Sequence, residues 1–131
     1  MNGAFAAIAP LLGRVLLAGL FLYSGYTKFA AIGRTAAAIA GHGLPYATVG
    51  AYAAAAAEVL GGLALVVGAK TRLVAILFVV YLAIVTYVFH WHPALRGDHQ
   101  QLINVLKNAG LAGGMFLLAA HGAGPASVDR R

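Results

Sequence analysis

Long apolar runs alternate with short polar connections along the chain. Four of the runs are almost free of charge and are as long as the ~20 residues that a helix needs to cross the hydrocarbon core of a bilayer. The connections and the stretch beyond the last run are rich in glycine, proline and polar residues, which typically end helices. The predicted transmembrane helices are residues 5–29, 46–68, 73–92 and 102–120. Pro93 is expected to end the third helix, because a proline denies the next turn an amide.

The composition agrees with this pattern. Of the 131 residues, 62% are hydrophobic and 9% are charged, and the mean hydropathy is +0.86. A soluble domain is about half apolar and a quarter charged, and too little of this chain lies outside the helices to build an independent soluble enzyme domain. The predicted fold class is an all-α integral membrane protein, an antiparallel bundle of four transmembrane helices. Residues 1–131 are expected to form a single membrane domain in the lipid bilayer.

The N-terminal run has a second interpretation, a cleaved signal peptide. Such a peptide needs a basic segment and a short apolar core, whereas this run extends over residues 5–29 around the single charge of Arg14. A transmembrane helix is therefore favoured. Four helices put both termini on one side of the membrane, and the basic residues outside the helices favour the cytoplasm for that side.

The net charge of +6 does not indicate nucleic-acid binding. Binding to phosphates requires a clustered basic face, and most of the nine Lys and Arg residues are scattered singly where a helix meets water. No nucleic-acid partner is predicted. The chain has no cysteine, so it cannot itself form a disulfide, a thiolate metal site or an iron–sulfur cluster.

Charged residues within the apolar runs are candidates for function, because a charge in hydrocarbon costs ~2.5–3.5 kcal/mol and usually faces the bundle interior. Glu58 is the only acid inside a predicted helix and lies near mid-depth. Counting residues from the helix ends places Arg14 and Tyr81 at about the level of Glu58. Two interpretations remain open: Arg14 and Glu58 form a structural clamp, or Glu58 is a proton or substrate group that Arg14 keeps ionised.

A second polar group lies towards the opposite end of the bundle. Asn104, Lys107 and Asn108 follow the spacing i, i+3, i+4 and share one face of the fourth helix. Counting across the preceding loop sets Thr86 and His90 against this face.

Together these residues predict a polar, cationic pocket. Tyr23, Thr27 and Lys28 end the first helix on the same side, and Glu58 forms the floor. The alternative for Lys28 is an anchor that snorkels to the interface. The pocket would suit an anion or the oxygens of a quinone. The predicted ligand-binding residues are Arg14, Lys28, Glu58, Tyr81, His90, Asn104, Lys107 and Asn108, with Glu58 as the candidate catalytic proton group.

The sequence His90-Trp91-His92 raises the question of a metal or haem site. Residues i and i+2 point to different faces of a helix, so the two histidines are not placed to bind one ion. An aromatic belt at the membrane interface is favoured, and no metal site is predicted.

Small residues in the helices predict close packing. Gly110 and Gly114 form a G-x-x-x-G pattern, with Gly113 beside them, and residues 53–57 are all alanine. Such faces allow helices to approach closely. They suit the internal bundle, and they also leave a homo-oligomer open.

The order of these motifs resembles the DoxX family of small four-helix bacterial membrane proteins. The resemblance extends from about Arg14 to Asp129. In the first three helices it rests on Arg14, Ser24-Gly25, Lys28, Leu44-Pro45, Ala57-Glu58, Gly61-Gly62, Gly68 and Thr71-Arg72. In the fourth helix and tail it rests on Asn104, Lys107-Asn108, Gly113-Gly114, Gly122, Gly124-Pro125, Ser127 and Asp129.

The resemblance implies the four-helix membrane fold and a bacterial inner-membrane location. The family takes its name from a membrane subunit linked to thiosulfate:quinone oxidoreduction, and other relatives belong to oxidative-stress complexes or act as assembly factors. The first hypothesis is therefore a redox-linked membrane subunit that binds a quinone or a small anion and works with a redox partner protein. As an enzyme it would be at most a subunit of a quinone-linked oxidoreductase, because the chain has no self-contained catalytic motif. The alternative is a non-enzymatic assembly or accessory protein, and a small permease ranks below both.

Overall fold

Asn2 begins the first helix, because its side chain accepts a hydrogen bond of 3.0 Å from the amide of Phe5 at the free helix end. The computed structural model describes residues 2–129. The helical elements are α1 (Gly3–Ala30), α2 (Ile32–Gly41), α3 (Ala47–Val67), α4 (Thr71–Val85), a π-helical segment (Thr86–Trp91), α5 (His92–Leu95) and α6 (His99–His121).

Four helical segments within residues 2–129 are long and apolar enough to cross a membrane, and they confirm the predicted fold class. These segments are Gly3–Ala30, Ala47–Val67, Thr71–Leu95 and His99–His121. The bundle consists of two antiparallel pairs, because α1 packs along α3 and α4 packs along α6. Contacts between α3 and α4 and a narrow contact between α1 and α6 join the pairs.

The apolar core lies where the two pairs meet. The rings of Phe21 on α1 and Phe78 on α4 stack with their centroids 4.0 Å apart. Leu65, Leu82 and Met115 complete the core around them. These buried side chains hold the two helix pairs together.

Close packing depends on glycines other than the predicted G-x-x-x-G. A Cβ atom on Gly61 would lie 2.5 Å from Phe78 Cζ, so only glycine permits this approach of α3 to α4. Of the three glycines predicted on the fourth helix, Gly114 alone meets a neighbouring helix within residues 2–129, at Leu17. Gly110 and Gly113 face open space.

Two features differ from the sequence predictions. Pro93 does not end the third transmembrane segment, which stays helical to Leu95. The preceding turns are π-helical over Thr86–Trp91, and this wider spiral gives room for the proline ring in the first turn of α5, where its missing amide is not needed.

The second difference is α2, a helix of 10 residues that the hydropathy pattern did not reveal. It packs on α3 and fills the connection between the first two transmembrane helices. Ile32, Thr35, Ala36 and Ile39 are half-buried at helical spacing, and this periodicity was the available signal.

The C-terminal tail returns to the turn between α3 and α4. The amides of Val128 and Asp129 donate to the carbonyls of Val67 and Gly68, each at 2.9 Å. The Asp129 carboxylate accepts from the amides of Lys70 and Thr71, each at 2.8 Å, and so caps the start of α4. The tail therefore lies at the same end of the bundle as the start of α1.

Candidate functional site

The centre of the candidate site is Glu58 on α3, which is 3% exposed. Lys28 Nζ lies 2.9 Å from one carboxylate oxygen and 3.1 Å from the other. The Tyr81 hydroxyl donates to the same carboxylate, which confirms that Tyr81 lies level with Glu58. Lys28 also donates to Ser24 Oγ at 2.7 Å. We call Ser24, Lys28, Glu58 and Tyr81 the Glu58 cluster.

Local sequence explains why three helices meet at the Glu58 cluster. Ser24 and Lys28 are four residues apart, so their side chains share one face of α1. Gly25 lies beside them, and a Cβ atom there would be 2.7 Å from Val59 Cγ2 and 3.1 Å from Glu58 Cβ. The absence of a side chain therefore lets α1 come close enough for Lys28 to reach Glu58. Lys28 therefore forms an ion pair with Glu58 and does not extend to the membrane–water interface.

The predicted pairing of Arg14 with Glu58 is wrong. Arg14 is fully buried at the turn between α3 and α4, where its guanidinium donates to the carbonyls of Leu65 at 3.0 Å, Val66 at 2.9 Å and Ala126. The guanidinium therefore ties the end of α3 and the tail to α1, and it does not line the cavity described below.

The error came from the register assumed for α1 and α3. Equal counting from the helix ends sets residue 5 against residue 68. In the structure Arg14 contacts Gly68, because α1 has 28 residues and extends past the end of the 21-residue α3. Glu58 consequently lies nearer the far end of α1, beside Lys28.

A cavity of ≈ 300 Å³ opens beside the Glu58 cluster, between α1 and the α4–α6 pair. Apolar side chains from α1, α4 and α6 form much of its wall, among them Leu20, Leu82, Val85 and Leu111. Six of the eight predicted ligand-binding residues line this cavity, and Arg14 and Asn104 do not. The six are Lys28, Glu58, Tyr81, His90, Lys107 and Asn108, and the predicted Tyr23 and Thr27 accompany them.

The polar face of α6 lies against the π-helical segment as predicted. Asn108 Nδ2 donates to Thr86 Oγ1 at 2.9 Å. His90 contacts a residue that sequence reasoning missed, since its Nδ1 lies 2.5 Å from Gln101 Oε1. Asn104 Nδ2 donates to the same oxygen at 3.2 Å, so Asn104 reaches the cavity wall only through Gln101.

Gln101 was missed because the fourth helix begins earlier than predicted. The Asp98 side chain accepts from the Gln101 amide at 3.1 Å and caps the first turn, which starts at His99. An aspartate before an apolar helix is a common start signal, and it would have placed Gln101 on the helix.

The two lysines of the cavity differ in their partners. Lys28 is neutralised by Glu58, whereas Lys107 makes no hydrogen bond or ion pair with any side chain in the described part of the chain. Lys107 is exposed at the cavity and lies eight residues into α6. The cavity therefore has an uncompensated positive charge on one side and a neutral ion pair on the other.

A second cavity of ≈ 390 Å³ lies beneath α2 and shares a wall with the first. The shared residues are Lys28, Tyr81, Val85 and His90. Arg34 on α2 lines this second cavity. This space was not predicted, because α2 forms one of its walls and was not predicted either.

The histidines near the end of the third transmembrane segment have separate surroundings. The His92 ring contacts Tyr87, with centroids 5.3 Å apart, while His90 faces Gln101. Among residues 2–129 no group of three or more His, Asp or Glu side chains could hold a metal ion.

Comparison with known proteins identifies the family. The sequence model of the DoxX family matches residues 9–91. The chain belongs to the DoxX family. It is also 31% identical to inner membrane protein YphA of Escherichia coli (strain K12), over 98% of this chain and 94% of that protein. No solved structure matches the chain.

The DoxX match contains only part of the candidate site. Residues 9–91 include the Glu58 cluster and His90, whereas the α6 residues of the cavity lie beyond the matched segment. Family membership, the four long apolar helices and the inner-membrane relative together identify a multi-pass bacterial inner membrane protein.

Proposed function

We propose that this DoxX-family protein binds the head group of a membrane quinone in the cavity beside the Glu58 cluster and acts as the membrane subunit of a redox complex. The observation that carries the proposal is the convergence of Lys28, Tyr81, His90, Lys107 and Asn108 on one cavity of ≈ 300 Å³. Electron transfer would require a redox partner protein, because the chain has no cysteine and no self-contained catalytic motif.

The lining suits a flat, mostly apolar ring that carries oxygens at opposite edges. Leu20, Leu82 and Leu111 offer apolar contact, as small-molecule sites usually do. Lys107 supplies hydrogen-bond donors on the α6 side, and Lys28 supplies them on the α1 side. When bound, a quinone supplies chemistry that takes up two electrons and two protons.

The chain's own contribution is to hold charge and protons. The Glu58 carboxylate accepts from Tyr81 Oη and from Lys28 Nζ, so a carboxylate that can take up one proton lies beside the cavity. Glu58 is accordingly the proposed proton group. Lys28 places its positive charge 2.9 Å from that buried carboxylate.

The proposed orientation places both termini in the cytoplasm. The cavity then opens in the outer half of the membrane, since it lies away from the α3–α4 turn and the C-terminal tail. A quinone could enter there directly from the bilayer. A redox partner and a second copy of the chain are the proposed protein partners.

A small anion is the alternative ligand for the same cavity. Its support is the uncompensated ammonium of Lys107, which attracts negative charge to the cavity. An anion needs no apolar wall, however, and the side chains of α1 and α4 make much of this wall apolar. The quinone is therefore favoured.

A specific observation favours a second function, that of a non-enzymatic assembly or accessory protein. Both oxygens of Glu58 already have partners, Lys28 and Tyr81, and these three residues tie α1, α3 and α4 together. On this hypothesis the Glu58 cluster specifies the bundle, and the membrane-facing surface binds a partner.

The test is a native mass spectrum of the protein released from its own membrane under mild conditions. We expect a near-stoichiometric adduct that fragmentation identifies as a quinone. An inorganic anion in its place would support the alternative ligand. A bare chain, or one that carries only phospholipid or a second polypeptide, would contradict the quinone site and favour the accessory function.

Two matched variants locate the adduct. Lys107→Met removes a charge from the cavity without breaking any hydrogen bond or ion pair of the described residues, so we expect most of the adduct to be lost. Arg96→Met removes a charge from the loop before α6, outside the cavity, and should retain it. Equal adduct in both variants would contradict the assignment of the cavity.

A further inference from the structure

His90 occupies an unusual position, because it belongs to the π-helical segment and lines both cavities. Short π-helical stretches inside α-helices often occur at functional sites, where they change the direction of a side chain. The ring is half-buried, and its Nδ1 lies 2.5 Å from Gln101 Oε1. The imidazole is thus fixed at one edge by α6.

The side-chain oxygen of Gln101 is the shared acceptor of two hydrogen bonds. Asn104 Nδ2 donates to Oε1 at 3.2 Å, and His90 Nδ1 meets the same atom. An amide oxygen accepts hydrogen bonds and has two lone pairs, so it can serve both neighbours. His90 Nδ1 must then be the donor.

The state of the other ring nitrogen follows from this bond. In a neutral imidazole one nitrogen carries the proton and the other accepts. With the proton on Nδ1, the Nε2 atom of His90 is an acceptor. It makes no hydrogen bond with the described residues, and the ring that carries it borders the cavity lined by Lys28 and Lys107.

We infer that Gln101 is a positioning residue, which holds His90 as the Nδ1–H tautomer so that Nε2 accepts a hydrogen bond from a hydroxyl group of the ligand. The inference rests on the proposed quinone site and deepens it. Lysine ammonium groups only donate and so suit the carbonyl oxygens of a quinone. An imidazole acceptor suits the hydroxyl of the reduced form, the quinol. His90 therefore favours the quinol at this edge of the cavity.

The first measurement is the 15N NMR spectrum of protein labelled at histidine, with the His90 signals assigned by their loss in His90→Gln. We expect wild-type His90 to be protonated on Nδ1 only. Protonation on Nε2 only, or on both nitrogens, would overturn the inference without any variant at position 101.

Three substitutions sharpen this measurement. Gln101→Met keeps the length of the side chain but removes the acceptor, so the tautomer should shift towards Nε2–H. Gln101→Glu keeps an acceptor and should restore the Nδ1–H form. Gln100→Met is the matched control, because Gln100 is an exposed neighbour in the same helical turn and should leave the spectrum unchanged. A Gln101→Met spectrum identical to that of Gln100→Met would overturn the inference.

Binding of a short-chain benzoquinol and of its oxidised benzoquinone form tests the consequence for the ligand. The wild type should prefer the benzoquinol. Gln101→Met should reduce this preference about 10-fold, as for the loss of one hydrogen bond, and Gln101→Glu should restore it. An unchanged preference in Gln101→Met would overturn the role in ligand selection. If neither probe binds although the spectra follow the expected pattern, the proposed function fails and the tautomer assignment stands.

Discussion

The two ends of the bundle use buried charge in different ways. At the end where the tail meets the α3–α4 turn, charged side chains are directed at the main chain. Arg14 donates to carbonyls of α3 and the tail, and Arg72 donates to the carbonyls of Ala119 and Ala120. Asp129 accepts from the amides of Lys70 and Thr71 at the start of α4. These contacts satisfy helix ends, and their function is structural.

At the other end, side chains form hydrogen bonds and an ion pair with one another beside the cavity of ≈ 300 Å³. The Glu58 cluster forms one wall of the cavity, while Lys107 Nζ and His90 Nε2 have no hydrogen-bond partner in the described residues. Burial of a charge in a membrane helix therefore does not by itself indicate function. What indicates function is a polar group left over at a cavity after the structural contacts have been counted.

The largest effect should come from Arg14→Leu, which removes the guanidinium that donates to three buried or half-buried carbonyls. We expect the free energy of unfolding to fall by about 3–5 kcal/mol. Unfolding by denaturant in detergent measures this change. Arg34→Leu, which removes an exposed charge from α2, is the control and should change stability by about 0.5 kcal/mol or less. A small loss in Arg14→Leu would mean that the arginine is not a clamp.

Glu58→Gln should have the next largest effect, because it leaves the charge of Lys28 without a counter-charge. We expect a loss of about 2–3 kcal/mol, less than for a fully buried pair, since the Lys28 side chain is 26% exposed. The quinone adduct should be lost as well.

The double variant Lys28→Met/Glu58→Gln separates structure from function. Replacing both charges should recover most of the stability, since a buried ion pair adds little net stability over an apolar pair. It should not recover the adduct. If the free energy of unfolding and the quinone adduct both recover, the Glu58 cluster only holds the helices together, and the accessory function is favoured.

Lys107→Met should differ from Arg14→Leu, because it should weaken ligand binding and leave the free energy of unfolding almost unchanged. The ammonium has no partner among the described residues, so stability should change by about 0.5 kcal/mol or less. Affinity for the quinone head group should fall about 10-fold, as expected for a hydrogen bond to a charged group. A titration with a short-chain benzoquinone measures it. A destabilised variant with unchanged affinity would place Lys107 among the structural charges.

The same contrast explains how much the sequence could predict. Hydropathy alone was sufficient for the four transmembrane helices. Counting placed Tyr81 at Glu58 correctly, because only the three residues 68–70 join α3 to α4 and such a short turn fixes the register of the hairpin. The same counting failed for Arg14, because residues 31–46 join α1 to α3 and include α2. A long connection does not fix register.

Most of the residues that line the cavity were predicted, but the π-helical segment and α2 were not. The spacing of Asn104, Lys107 and Asn108 was enough to predict one polar face of a helix. The turn through residues 96–98 brought that face to Thr86 and His90. Gln101 and the cavity under α2 depend on a π-helical segment and a short helix. The π-helical segment leaves no periodic signal of its own in a single sequence. The periodicity of α2 extends over only 10 residues, too few for a hydropathy pattern that identifies transmembrane helices.

The smallest expected effect belongs to Asp129→Ala, at the structural end. The side chain caps α4 through the amides of Lys70 and Thr71, and its removal should lower the free energy of unfolding by about 1 kcal/mol. Asp129→Asn, which keeps an acceptor oxygen, should lose less, and denaturant unfolding can compare the two. Neither variant should alter the adduct, because the cap lies at the opposite end of the bundle from the Glu58 cluster. Loss of the adduct in a protein that remains folded would show that the two ends are coupled, and the division between a structural end and a binding end would then be wrong.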